Sequence, residues 1–596
     1  MLFDPTNQFA RPWAAFADLG KLFVAPKQHG SLLQLYTPSL DPSALEQDLL
    51  SLVPDQRTCD VLIERFIVTF NATHPIIDPI LFRMDMVRFW EDQESVSKPW
   101  LLCFLAIIAL GYQLPVLALD PGRVIPNGKQ QGKDLMAIVQ SVLFSSTDLG
   151  ARPSVPTMQA LLCVCLSQRL RIDWVDGNDT LSGLLGLATR MSATMGLHKD
   201  PYLVRGIRTD YAMYNNQAFL RRKLFLTLNL LDIEHSVEAG MPYHLRTSDY
   251  DELDGPEVEL LSSYERRLAS AMPAWSKYLA SIISSRSSPP SHTWREHLAR
   301  IASEQSIELT DTTDRPDKRR TMEKPLQTAS ICNLHNRVLM SLDSGTLFHG
   351  PQQPGSKTET DLLVSAKAIL SQQKILYDLV SQYDVSIRSA WHHFFASNSR
   401  CTVGYAASTI LLILRRTITD EPSQRSLLPP GETVSDLLNT IQQSLDYVTN
   451  GIPFSVELIK ELMAWAAYKS SVADRLAICA EKGWTSFSMA SPEAKDVMNG
   501  MQAAMDDILQ KARTAIDVAR RSDDPNPALL KRTEAEIAAD MDGSQATTTN
   551  KVGIDPSLLE GEALDAWTKE TDALLKDLDL QWPYAMPLGD GSDWIF

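Results

Sequence analysis

Asp506 and Asp507 stand side by side in a stretch of helical spacing. Paired carboxylates of this kind hold a metal ion in prenyl-transfer chemistry. That chemistry needs a third carboxylate one turn on, and Gln510 stands there, so the pair reads as a solvated helix face. Asn178-Asp179 with Ser182 begins a second metal-binding pattern, that of terpene cyclases, but the acid required after the serine is Gly186. His392-His393 is the one histidine doublet. Neighbours on a helix point about 100° apart, a poor geometry for sharing an ion. His235 has Glu234 and Glu238 close by, a spacing that suits an ion pair on a helix surface. Cys163 and Cys165 have one residue between them, which is wrong for a zinc knuckle or a Cys-x-x-Cys redox pair. G-x-S-x-G, G-x-G-x-x-G, Walker A and H-E-x-x-H patterns are all lacking. The expectation is therefore no catalytic residue, no metal site, no cofactor and no enzyme. A helical cyclase or transferase, or a helical scaffold, stays as the alternative.

The elements that would position any site are helical. The chain has 596 residues, 44% hydrophobic and 22% charged, enough to bury a sizeable core. Its net charge of -17 repels phosphate and disfavours autonomous nucleic-acid binding. The seven cysteines are scattered, mostly in apolar runs, and read as buried thiols of a reducing compartment. The N-terminus has no basic start followed by an apolar core, so no signal peptide is expected. Leu101 to Leu119 nearly reaches the length of a bilayer span, but Gln113 and Pro115 interrupt it. It reads as a buried helix ending near Gln113.

Cys59, Leu62, Ile63, Phe66 and Phe70 fall on one helix face, which His74-Pro75 ends. Further helices are expected over 84–90, 156–170, 180–198, 221–235, 361–382, 386–416 and 456–480. In the third, Leu184, Leu187, Ala188, Met191 and Met195 form one stripe. Strand-like alternation is scarce, so the fold is expected to be all-α: a large helical regulatory body with an irregular lead-in over 1–50. Residues 284–325, 345–360 and 541–555 read as linkers. Lys318-Arg319-Arg320 is either a nuclear-import signal or a solvated basic turn.

The segment 556–596 carries nine Asp or Glu against two Lys, interleaved with Trp567, Trp582, Tyr584, Trp594 and Phe596. Such acidic-aromatic segments act as activation tails that fold on a coactivator. The tail is expected to be partly disordered; the alternative is that its tryptophans dock on its own body.

Five stretches, in order, resemble the middle homology regulatory domain of fungal binuclear zinc-cluster transcription factors. They are residues 52–92, 101–111, 154–166 with Gln159, GLLGLATRMSATMGLHKDP over 183–201, and LRRKLFLTLNLLDIEHSVEAGMP over 220–242. The resemblance marks Gly196, Leu197, His198, Lys199, Asp200, Pro201, Arg221, Arg222, Lys223, Asp232, Gly240 and Pro242 as structural residues. Gly196 and Gly240 would make tight turns, and the basic triplet would pair with acids such as Asp200 or Asp232. Met241 stands where the family's Gly-Arg-Pro turn has arginine, and Ala218-Phe219-Leu220 lacks the acid that usually precedes the triplet.

The resemblance implies a regulatory domain over 51–480, followed by a helical extension over 481–540. It also implies a nuclear regulator of a metabolic or secondary-metabolite gene set, shuttling with the cytoplasm. Coactivators, a DNA-binding partner, a small-molecule effector, a second copy in a homodimer, and no membrane are the expected partners. The family's DNA-reading module needs six clustered cysteines that bridge two zinc ions, and no cysteine precedes Cys59. Zinc is thus expected only if such a module lies upstream, and DNA contact only through it or through a partner.

Overall fold

The computed structural model describes the following residues: 49–93, 96–114, 128–145, 153–170, 180–199, 211–239, 243–245, 261–283, 296–300, 323–349, 357–381, 402–415, 417, 428, 431–449, 456–484, 486–487 and 491–522. Among them there are helices and turns and no strand. The C-terminal segment with Trp567, Trp582, Tyr584, Trp594 and Phe596 lies outside the described residues, as do Lys318-Arg319-Arg320 and His392-His393.

Helix α1 (Gln56–Val68) starts at Asp55, whose carboxylate accepts the Thr58 N–H at 3.0 Å. A short helix α2 (Phe70–Thr73) follows and ends at His74. Asp78 caps α3 (Pro79–Glu91), with proline in its first turn, where no N–H is needed. Ser97 caps α4 (Lys98–Gln113) in the same manner. Every residue of α4 from Trp100 to Gln113 is buried, so the apolar run as far as Gln113 is a central core helix. No helix among the described residues is long and apolar enough to cross a membrane.

Around α4 pack α1, α5 (Gly128–Ser145) and α6 (Val155–Leu170). Helix α3 meets it through an aromatic cluster in which the Trp100 and Phe104 rings stack at 5.1 Å and Phe89 lies 5.2 Å from Phe104. Helix α7 (Thr180–Met195) leans on α6 and on α8 (Tyr211–Ala239). Leu184, Ala188 and Met191 of the expected α7 stripe are buried, but Leu187 is 37% exposed, and Leu185 fills the core instead.

Helix α8 joins two cores. Leu224, Phe225, Leu228 and Leu231 belong to the α4 core, while Leu226, Leu230, Ile233 and Val237 face α9 (Ser263–Ile283) and α10 (Glu323–His349). A reciprocal capping box opens α9: Ser262 Oγ accepts the Glu265 N–H, and the Glu265 carboxylate accepts the Ser262 N–H. A third core forms from α11 (Lys357–Ser381), the helical run 402–415, α12 (Val434–Thr449), α13 (Val456–Lys482) and α14 (Ala494–Ser522). The linker expected over 345–360 is shorter, because α10 runs on to His349 and α11 starts at Lys357. Cys59, Cys103, Cys163, Cys165, Cys332 and Cys479 are all buried free thiols.

Candidate functional site: a buried polar hub at the His74–Pro75 turn

Proline at 75 ends the helical run and leaves the carbonyls of Ala72 to Ile76 without continuous backbone partners, inside the core. Ala72, Thr73, His74, Ile76 and Ile77 are all buried. Each such carbonyl must find a donor or lose about 1–3 kcal/mol. Four different helices supply the donors. Gln327 of α10 donates to the Ala72 carbonyl at 2.8 Å, and Tyr264 of α9 to that of Thr73 at 2.7 Å. Thr227 of α8 donates to Pro75 at 2.8 Å, and Gln159 of α6 to Ile76 at 2.9 Å. Asn71 closes the turn from within, its side-chain oxygen accepting the Ile76 and Ile77 N–H groups at 2.8 and 2.9 Å.

An ionic chain extends from the turn. His74 Nε2 lies 3.0 Å from Glu234 on α8, and its Nδ1 is 3.0 Å from Thr73 Oγ1. Arg169, at the end of α6, bonds Glu234 with one guanidinium nitrogen and Glu238 with the other, the latter at 2.6 Å. The side chains of all three are at most 10% exposed. Burial opposes the Arg169 charge, but Glu234 and Glu238 outweigh it and raise its pKa. Burial also disfavours the Glu234 carboxylate, yet Arg169 and His74 together bring its pKa below the ordinary value. At Glu238 burial prevails: Arg169 offsets part of it, and the nearby Glu234 charge adds to the rise. His235 was expected in an ion pair on the helix surface, but that position is not on the surface. His235 is buried, and Glu234 and Glu238 turn to Arg169 instead.

The family-motif residues assemble next to this hub. Gln159 is the α6 donor just described. Gly196 ends α7 with φ +66°, Gly196 N–H donating to Ala193 O and Leu197 N–H to Ser192 O. That is a Schellman stop, and buried Leu197 packs beneath it. His198 is half-buried and Lys199 exposed. Arg221 donates to the Met195 carbonyl and so holds the same helix end. Arg222 is fully buried.

Of the basic triplet, expected to pair with acids such as Asp200 or Asp232, Lys223 has a different acid as its partner. Lys223 pairs with Glu265 of α9 at 3.1 Å and sits over the Phe219 ring. Buried Asp232 accepts the His244 and Leu245 N–H groups, both at 2.9 Å, and lies 2.7 Å from His244 Nδ1. Asp200, Pro201, Gly240 and Pro242 lie outside the described residues. Reasoning from sequence missed Arg169, Tyr264, Thr227 and Gln327. The one available signal was an arginine three residues past the apolar run LLCVCL, where a charge near the core must be paired. The Asp506-Asp507 pair is exposed, as expected of a solvated face, with Lys511 2.9 Å from Asp507.

Residues 63–253 match the model of the fungal specific transcription factor domain. That stretch holds the hub turn, Gln159, Arg169, the Gly196 stop and Asp232. The chain is similar to the fusarisetin A cluster transcription factor of Fusarium sp. (strain FN080326), 24% identical over 33% of this chain and 26% of that one. It is similar to the equisetin cluster transcription factor of Fusarium heterosporum, 24% identical over 33% of this chain and 28% of that one. It is also similar to the aspyridones cluster regulator of Emericella nidulans, 24% identical over 41% of this chain and 27% of that one. The chain spans about a quarter of the length of these curated relatives.

Proposed function

We propose, with the domain match at 63–253 as premise, that this chain is a nuclear transcriptional regulator of a biosynthetic gene cluster. The helical body is its regulatory part and the acidic segment 556–596 its activating part. The match carries the proposal, because it covers the hub turn and its partners on α6 and α8. The hub supports it chemically. Its carboxylates are occupied by Arg169, His74 and backbone N–H groups, which suits holding helices in register better than turning over a substrate. The relatives' names, two cluster transcription factors and a cluster regulator, point to the same class of target.

A net charge of -17 argues that DNA is reached through a basic module or a partner protein. Coactivators would meet the acidic segment, and a small effector or a second copy would act on the helical body. The test is deletion of the gene followed by sequencing of all transcripts. The expected result is loss of one co-located set of biosynthetic transcripts, and an unchanged transcript profile would overturn the proposal. Residues 556–596 fused to a heterologous DNA-binding domain should raise a reporter above the domain alone.

A further inference from the structure

Far from the hub in sequence, a cleft of about 270 Å³ opens between α12, α13 and α14. Its floor is small and apolar where Ala466, Ala473 and Ala504 face it, with Leu445 and Ile508 alongside. Ser470 lies between the two α13 alanines, one turn apart from each. Two charged side chains flank this floor. Lys469 reaches toward α12, where its ammonium donates to Gln442 Oε1 at 2.6 Å. Asp474 reaches toward α14, against Gly500, where an added Cβ would come within 2.1 Å of its carboxylate.

The other charges at the rim are compensated: Lys511 lies 2.9 Å from Asp507 and 3.7 Å from Asp446. Lys469 and Asp474 differ. Neither takes part in a salt bridge among the described residues, with each other or with a neighbour, and the hydrogen bond to Asp474 comes from Ser470 at 3.2 Å. Burial lowers the pKa of Lys469 and raises that of Asp474; the charges of Asp446 and Asp474 on the first, and the Ser470 bond and the Lys469 charge on the second, offset only part of it, so each half-buried group would gain from a closer counter-charge. A cation and an anion on opposite sides of an apolar floor are complementary to a molecule carrying both charges. The volume lies just below the range of drug-sized pockets, which limits the ligand to a few heavy atoms beyond its charged groups.

We propose that this cleft is a binding site for a small zwitterion, an α-amino acid with a short aliphatic side chain. Its carboxylate meets Lys469, its ammonium meets Asp474, and its side chain lies on the alanine floor. The test is calorimetric titration of the full chain with L-valine, against N-acetyl-L-valine, which keeps only the anion, and L-valinamide, which keeps only the cation. The expected result is binding of L-valine, with each single-charge analogue weaker by about tenfold or more. Lys469→Met and Asp474→Asn should each cost a similar factor. No binding of L-valine up to about 10 mM, or equal binding of the three probes, overturns the proposal. If a variant fails to fold, saturation-transfer NMR on the unmodified chain ranks the same three probes without it. A regulatory role for the site rests on the reading above. Binding without any effect on transcription would sink the regulatory role and leave the site standing.

Discussion

Replacing Arg169 by leucine tests the hub directly. The substitution keeps an apolar stem but removes the guanidinium that serves both Glu234 and Glu238. Those carboxylates stay buried, with His74 as the remaining partner of Glu234. Breaking a buried ion pair from one side costs about 3–5 kcal/mol. The loss should depend on pH. In the wild type Glu234 has a lowered pKa, so its stabilisation is present at neutral pH and fades as acid protonates it. Glu238 has a raised pKa, so its ionisation already costs stability as pH climbs above the ordinary glutamate range. Without Arg169 both carboxyls follow the second pattern. Their penalty is then largest at pH 7.5 and shrinks on acidification toward the unfolded-state pKa, by about 1.4 kcal/mol per carboxyl per unit. Urea unfolding of wild type and R169L at pH 7.5 and pH 5 measures the difference. A loss under about 1 kcal/mol at pH 7.5, or an equal loss at both pH values, would refute the account. Adding Glu234→Gln and Glu238→Gln to R169L should recover part of the stability at pH 7.5.

Other outcomes follow from single residues. Tyr264→Phe and Thr227→Val each strand one buried carbonyl of the turn and should cost about 1–3 kcal/mol in thermal or urea unfolding. Gly196→Ala places a side chain at φ +66° and should destabilise by about 1 kcal/mol, with α7 unwinding first in hydrogen exchange. The Cys59 and Cys165 thiols are pushed up to about 12, chiefly by burial. They should resist iodoacetamide at pH 8 in the folded chain and react once it is unfolded, as peptide mass spectrometry would show.

Much of the helical body was legible because its pattern is local. Gly196 after the α7 stripe announces a stop that the structure places at positive φ, whereas α3, expected over 84–90, already starts at Pro79 behind the Asp78 cap. Legibility fails where burial is two-sided. Helix α8 was expected over 221–235 and spans Tyr211–Ala239, because apolar residues on both faces blur the period. Pro273 sits inside α9, where a proline reads as a break. Leu187 fits the α7 stripe by spacing yet faces out, since Leu185 takes the core position. The hub was the least legible part. Its turn is visible as His74-Pro75, but its partners come from helices that only tertiary packing brings together. An arginine such as Arg169, near a helix end, has the same local signature whether it meets water or two buried acids.

The turn at His74–Pro75 also fixes a timetable for synthesis. The bond from Gln327 to the Ala72 carbonyl spans 255 residues. At about 5–20 residues per second, the ribosome leaves that acceptor waiting for roughly 13–50 s after it is made. The nascent chain must meanwhile shelter a half-finished core, and ribosome-associated chaperones have their opening there. Point changes at residue 327 or 264 would then lower yield in the cell as well as the stability of the finished molecule.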